Sequence, residues 1–485
     1  MKTPFRICHP WNLIRRRSGR QGRGSNQVEY FWGLIPAVDV GRFHFMNKSA
    51  TSNFTRRRFL ATAGLALAAP AILTSCSTIG GHRRSASERI NIGVIGCGGM
   101  GNGNTNNFLK MSDCRVVAAC DVDENHLSAM VKRVNAKYNN QDCKGYKDYR
   151  ALLSRTDIDA VMIAVPDHWH GLIAVEAARQ KKDIYGEKPL ARTVAEQQAI
   201  VRAVQKNKRI WQTGSWQRSQ SNFHKAAEIV RSGHIGRITH VEVGLPDGPN
   251  DPKNQVSRPG TTPPPELDFD MWLGPSRKVG YLQEQVHGNW RWNYNTGGGQ
   301  LLDWIGHHCD IAHWGMDCDN SGPTEISGHG EFPPADGVWN TCFKYRIELK
   351  YPHNITMTIA GGHGDIRSGT KWIGTNGWVW VDRGAFQASN EEWRDYKVLP
   401  DRFRKVKLYK STDHHRNFIE CVRSRSQAIT PAETAHHSSI PGHLGLISMM
   451  TGRTIRWDSQ KEVILNDPGA SELLGRPYRA PWILG

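Results

Sequence analysis

From residue 89 onward, short apolar runs alternate with amphipathic stretches. Residues 89–95 read as a buried strand that stops at glycines, and residues 115–120 repeat the pattern. A short helix ends at residues 151–153. Residues 158–165 form a continuous apolar strand, 172–179 a helix, 183–185 a strand, 194–207 a helix and 209–212 a last strand. Strands alternating with helices predict a doubly wound parallel sheet. Beyond residue 213 the period changes. Residues 224–232 are helical, 237–245 alternate as a strand, and 246–265 are rich in Pro, Asp, Asn and Gly and read as a loop. Residues 343–349, 354–360 and 378–381 alternate as further strands, and 414–422 and 443–452 read as closing helices.

The first 88 residues carry none of this periodicity. Residues 1–45 are Arg- and Gly-rich and are expected to be a non-native extension or disordered, with Met46 as the true start. Thr55-Arg56-Arg57-Arg58-Phe59-Leu60 and the apolar run 61–73 resemble a twin-arginine export signal, too short to span a bilayer. Leu73-Thr74-Ser75-Cys76 resembles a lipobox that would anchor Cys76 to lipid, with an ordinary signal-peptidase cut nearby as the open alternative. The expected organisation is thus a signal over 46–76, a tether over 77–88, a dinucleotide-binding domain over 89–212 and a second domain over 213–485. Location in the periplasm or cell envelope follows from the signal.

Charge then adds little. The formal +18 divides into +10 within residues 1–75 and +8 over the remaining 410, and no recognition motif accompanies it, so nucleic-acid binding is not expected. Ten Cys show no CxxC or zinc-type spacing and read as small buried hydrophobes.

The chemistry begins at Gly96-Cys97-Gly98-Gly99-Met100-Gly101. Gly96 makes a tight turn, Gly98 lets a pyrophosphate approach the backbone, and Gly101 lets helix and strand pack closely. The following helix N-terminus supplies amide donors to phosphate, and Gly99 and Met100 belong to the same cradle. Asp121 falls about 20 residues on, where ribose hydroxyls are read. An acid there favours NAD over NADP, because it repels a 2′-phosphate. The next strand ends carry Pro166-Asp167-His168-Trp169-His170 and Gly186-Glu187-Lys188-Pro189.

With Glu187-Lys188-Pro189 after such a strand, the chain from residue 89 to about 457 resembles the Gfo/Idh/MocA oxidoreductases. The resemblance implies a Rossmann domain followed by an α+β domain whose open, largely antiparallel sheet covers the cofactor. It places Lys188 beside the nicotinamide and the substrate hydroxyl, and puts a cis bond before Pro189. It brings Pro166, His168, His170 and Glu187 against the cofactor. An H-x-H metal pair at His168 and His170 is the less favoured reading, so no metal is expected. It also implies a homo-oligomer, dimer or tetramer, paired through the open sheet.

In the second domain, Gly297-Gly298-Gly299 precedes Asp303 and His307, which share a helix face at i and i+4. A carboxylate beside an imidazole orients it and raises its basicity, which makes a general base. Asp310 falls a further turn along nearly the same face, and His308 points elsewhere and reads as structural. The resemblance carries substrate binding and hydroxyl proton transfer to Asp303 and His307. Trp290, Arg291 and Arg218 suit a carbohydrate, with flat rings and forked donors.

Together these predict an exported NAD-dependent oxidoreductase acting on a hydroxyl or keto carbon of a sugar, polyol or glycoside. A redox-assisted glycoside hydrolase or lyase is the alternative. Glu187-Lys188-Pro189 disfavours it, because the glycosidase relatives have another form of this turn. A non-catalytic, cofactor-holding sugar-binding protein is the third reading, against which Lys188 and His307 both stand.

Overall fold

The computed structural model describes residues 89–396 and 398–484. The export signal, the Cys76 lipobox and the tether lie outside the described residues. The first layer is β1 (Ile90–Ile95), α1 (Gly99–Phe108), β2 (Cys114–Cys120), α2 (Glu124–Tyr138), β3 (Lys144–Tyr146), α3 (Tyr149–Leu153), β4 (Ala160–Ile163), α4 (Asp167–Arg179), β5 (Asp183–Gly186), α5 (Val194–Asn207) and β6 (Trp211–Thr213). Its six strands are all parallel, in the order β3-β2-β1-β4-β5-β6. The order reverses between β1 and β4, so a crevice opens beyond the carboxyl ends of those two strands, where such sheets bind ligands.

The second layer follows as α6 (Ser221–Arg231), β7 (Ile238–Leu245), α7 (Phe269–Leu273), α8 (Gly299–Met316), β8 (Glu325–Glu331), β9 (Lys344–Tyr351), β10 (Ile355–Gly361), β11 (Gly369–Gly374), β12 (Gly377–Asp382) and β13 (Ala385–Ala388). Helices α9 (His414–Ser424) and α10 (Ala432–Thr451) and strands β14 (Ile455–Asp458) and β15 (Val463–Ile464) complete it. The nine-stranded sheet runs β13-β12-β11-β7-β10-β9-β8-β14-β15 and is antiparallel except where β10 meets β7. Alternation along β9 sends Tyr345, Ile347, Leu349 and Tyr351 into the core under α8 and α10, and Arg346 and Glu348 to the other face.

Both closing helices depart from their sequence reading. Helix α10 begins eleven residues before the predicted 443 and carries Pro441 inside it. Ile440, Leu444 and Ile447 are buried in the second core. That burial outweighs a proline cost of roughly 3 kcal/mol. Helix α9 reads as a closing helix of the second domain, yet its Phe418, Ile419 and Val422 pack on the first sheet beside Ile90, Val94 and Phe108. The eight cysteines among the described residues are all buried free thiols, as small hydrophobes should be. No helix among the described residues is long and apolar enough to cross a membrane.

Candidate active site

The glycine turn has the geometry its spacing predicts. Gly96 has φ +91°, and a Cβ there would lie 2.3 Å from the Ala164 carbonyl oxygen. A Cβ on Gly101 would lie 1.9 Å from the Gly96 carbonyl oxygen, so helix and strand touch through a bare backbone. Gly98 and Gly99 face open space, with nothing within 4 Å of an added Cβ. Gly98 caps α1 without a side chain, leaving the first-turn amides to a ligand. Gly101→Ala is therefore expected to lower the denaturation midpoint by the equivalent of about 2–3 kcal/mol. Gly98→Ala should change stability by less than about 0.5 kcal/mol while weakening nucleotide binding. Equal stability of the two variants would refute this division of roles.

Gly96, Gly98, Gly99 and Met100 line a cavity of about 490 Å³ together with Asp121, Pro166, Asp167, Glu187, Lys188, Trp290 and Arg291. Asp121 closes the turn from below. Its Oδ2 accepts from the Cys97 amide at 2.7 Å and its Oδ1 from the Asp123 amide at 3.0 Å. Burial raises its pKa despite these donors. Glu187 also lines the cavity, but its Oε1 accepts from Asn104 Nδ2 at 2.8 Å. Burial raises its pKa as well. An open glycine cradle, free helix amides and an acid at the ribose end fit a dinucleotide.

On the β4–β5 side lies a cluster of charges. Lys188, before a cis bond to Pro189, donates from Nζ to the Asp303 carbonyl at 2.7 Å and to its Oδ1 at 2.9 Å. Arg291 donates from Nε to the same Oδ1 at 2.8 Å and lies over the Trp290 ring, 4.4 Å from its centroid. Burial pushes the Asp303 pKa up, but Lys188 and Arg291 outweigh it and hold the carboxyl below its ordinary range. Gly306, one turn along α8, carries only hydrogens against Lys188, whose Cβ would stand 3.1 Å from a Cβ there.

Several expectations need correction. Asp303 binds Lys188 and Arg291, and the His307 Nδ1 has no hydrogen-bond partner among the described residues. The His307 ring packs edge-on against Trp304 and Trp216, with centroids 5.3 and 6.2 Å away. Burial, then the charges of Lys188 and Arg383, push its pKa well below the ordinary value, so its basicity falls rather than rises. Arg218 and Asp310 are also placed otherwise. Arg218 is fully buried and forms forked bonds to Asp310 (2.8 and 2.9 Å) and Asp319 (2.8 and 2.7 Å), so it ties the turn 216–219 to α8 and does not line the cavity. His168 and His170 do not line the cavity. The His168 ring nitrogens face the Thr296 and Trp272 carbonyls, and those of His170 face the Pro189 and Val165 carbonyls. They strap loops together, and burial keeps both rings neutral. His308, expected to be structural, is buried, with Nδ1 3.2 Å from Gln217 Nε2.

One residue was missed. Asp167 opens α4 at the end of β4, lines the cavity and is fully buried, and its Oδ1 has no hydrogen-bond partner among the described residues. Burial, then the Asp303 charge, push its pKa up to about 8 against the pull of Arg291, Lys188 and Arg192. Its position directly after Pro166, at a strand's carboxyl end, was the available signal.

A parallel sheet with a glycine cradle, and charged side chains at its carboxyl edge, fit a nucleotide-dependent oxidoreductase. Models of the oxidoreductase family match twice: its NAD-binding Rossmann fold over residues 90–215 and its C-terminal alpha/beta domain over 219–484. The chain therefore belongs to the Gfo/Idh/MocA oxidoreductase family. A myo-inositol 2-dehydrogenase of Thermotoga maritima is 31% identical over 146 residues, 30% of this chain and 42% of that one. A glycosyl hydrolase family 109 protein of a Shewanella species is 29% identical over 212 residues, 39% of this chain and 46% of that one. The chain thus matches less than half the length of these curated relatives. Among solved structures, aldose-aldose oxidoreductase from Caulobacter crescentus superposes with a TM-score of 0.55 at 18% identity, covering 76% of this chain and 99% of that one. The WlbA dehydrogenase of Bordetella pertussis, in complex with NADH and UDP-GlcNAcA, has a TM-score of 0.55 at 15% identity, covering 76% and 99%. These likenesses concern the fold.

Proposed function

We propose that the protein is an exported, NAD-dependent oxidoreductase that interconverts a hydroxyl and a keto carbon of a sugar, polyol or glycoside. The observation that carries this is the Lys188–Asp303–Arg291 cluster beside the glycine cradle. When bound, the nicotinamide supplies the hydride acceptor. Lys188 stabilises developing alkoxide charge, and Asp303 holds its ammonium in place. His307, a neutral imidazole with an unpaired Nδ1, takes the hydroxyl proton. Trp290 and Arg291 offer a ring face and donors to the sugar. Asp121 favours NAD over NADP by charge. Export by the twin-arginine route would carry the cofactor out already seated, either lipid-anchored through Cys76 or free, as a dimer or tetramer.

The likeness to a glycosyl hydrolase family 109 protein supports a second reading. Here oxidation of one ring carbon acidifies the neighbouring C–H, a base takes that proton as the glycosidic oxygen leaves, water adds across the double bond so formed, and the hydride then returns to the carbonyl carbon. One experiment addresses both readings. The chain is isolated from the envelope fraction of expressing cells, its nucleotide identified by mass spectrometry, and a polyol and glycoside panel incubated without added NAD. Bound NAD(H) with an oxidised polyol or sugar supports the first reading. Free aglycone supports the second. A cytoplasmic chain refutes export, and a chain that converts nothing refutes both enzyme readings.

A further inference from the structure

Asp167, which lines the cavity, and Asp303, which binds the cavity residues Lys188 and Arg291, are neighbouring buried carboxyls shifted in opposite directions, and the reason lies in their contacts. Asp303 receives two cationic donors directly, Lys188 Nζ at 2.9 Å and Arg291 Nε at 2.8 Å. Asp167 is more fully enclosed, yet among the described residues no cation forms an ion pair with it and its Oδ1 has no hydrogen-bond partner. Direct contact with a cation thus separates the anionic acid from the neutral one. Asp167 also stands at the end of β4, across the switch point from the Asp121 end of β2. In this sheet type the diphosphate sits at the glycine turn and the adenosine ribose by the β2 acid, so the other half of the dinucleotide extends over β4. The oxidised nicotinamide ring carries a unit positive charge and the reduced ring carries none.

We infer that Asp167 is the titrating partner of the nicotinamide ring, neutral in the free and NADH-bound protein and anionic with NAD⁺. This rests on the dinucleotide-binding reading above. Binding of the oxidised cofactor then expels the carboxyl proton to solvent, and binding of the reduced form does not. The groups facing Asp167 are Asp303 on α8, Arg291 from the turn before it, and Lys188 and Arg192 after β5. On its own helix, His168 and His170 are engaged by carbonyls. Arg192 is occupied by the Tyr294 carbonyl at 2.7 Å and stacks on the Tyr294 ring. Since enclosure pushes the carboxyl's pKa up to about 8, a bound cation that favours the anion makes NAD⁺ affinity rise with pH below that value. The limit is about tenfold per pH unit. NADH affinity should stay flat over the same range.

The test is titration calorimetry of the full chain with NAD⁺ and with NADH, at neutral pH, in two buffers of different ionisation enthalpy. Release of nearly one proton per NAD⁺, and of almost none per NADH, is expected. Asp167→Asn copies the neutral carboxyl in shape. It should abolish the NAD⁺-linked release while keeping NADH affinity within about threefold. Asp167→Ser gives the same reading if the Asn variant fails to fold. An unchanged release in either variant overturns the proposal and points to another cavity carboxyl such as Glu187. Binding of both nucleotides without proton exchange also overturns it and leaves the dinucleotide reading standing. Failure of either nucleotide to bind wild type sinks the dinucleotide reading itself.

Discussion

Replacing Lys188 with alanine lowers kcat by about 10²- to 10³-fold on whichever substrate of the panel is turned over, the usual loss when one preorganised donor to developing negative charge is removed. Lys188 is the cation placed to do this. It is largely buried, it follows directly on β5, and its ammonium is aimed by both the carbonyl and the carboxylate of Asp303. Removing it also leaves Asp303 with Arg291 alone, so the remaining carboxylate is less well compensated. The denaturation midpoint and NADH affinity separate these effects. Loss of turnover with both retained is the expected pattern, and turnover within threefold of wild type would remove Lys188 from the chemistry.

Arg218→Ala acts on stability instead. It strips the guanidinium from Asp310, which is fully buried, and from Asp319, which is only partly exposed. Breaking a buried pair by deleting one partner costs about 3–5 kcal/mol, because a charge is left uncompensated. Arg218→Met combined with Asp310→Leu removes both charges of the deepest pair and should recover a large part of that loss. Urea denaturation measures both variants. Had Arg218 bound substrate, Arg218→Ala would raise KM at unchanged stability, and that result would reverse its assignment to the scaffold.

What could be read along the chain is what depends on near neighbours. The glycine turn is visible because its three constraints are backbone constraints within six residues: Gly96 in a left-handed turn, Gly98 open to ligand, Gly101 against the Gly96 carbonyl. Helix α5 is found from 194 to 207 because Thr193 and Glu196 form a capping box at its start. The alternating strands of the second sheet are found because period two reports one buried face. Lys188 is found because it follows a strand end directly.

Partners distant in the chain decided the rest. The i and i+4 spacing places Asp303 and His307 on one face of α8, but which cation approaches that face depends on where β5 and the 287–292 turn arrive. Lys188 comes from 115 residues away and takes the carboxylate, so the expected Asp–His pair does not form. Arg218 resembles a substrate donor until Asp310 and Asp319, 92 and 101 residues on, enclose it. His168 resembles a cofactor contact until carbonyls more than a hundred residues away claim its ring. A packed core holds α10 through Pro441. Asp167 owes its raised pKa first to enclosure and then to the Asp303 charge, which comes from 136 residues on. Enclosure is a property of the folded chain, because it is built by side chains that the sequence keeps far apart.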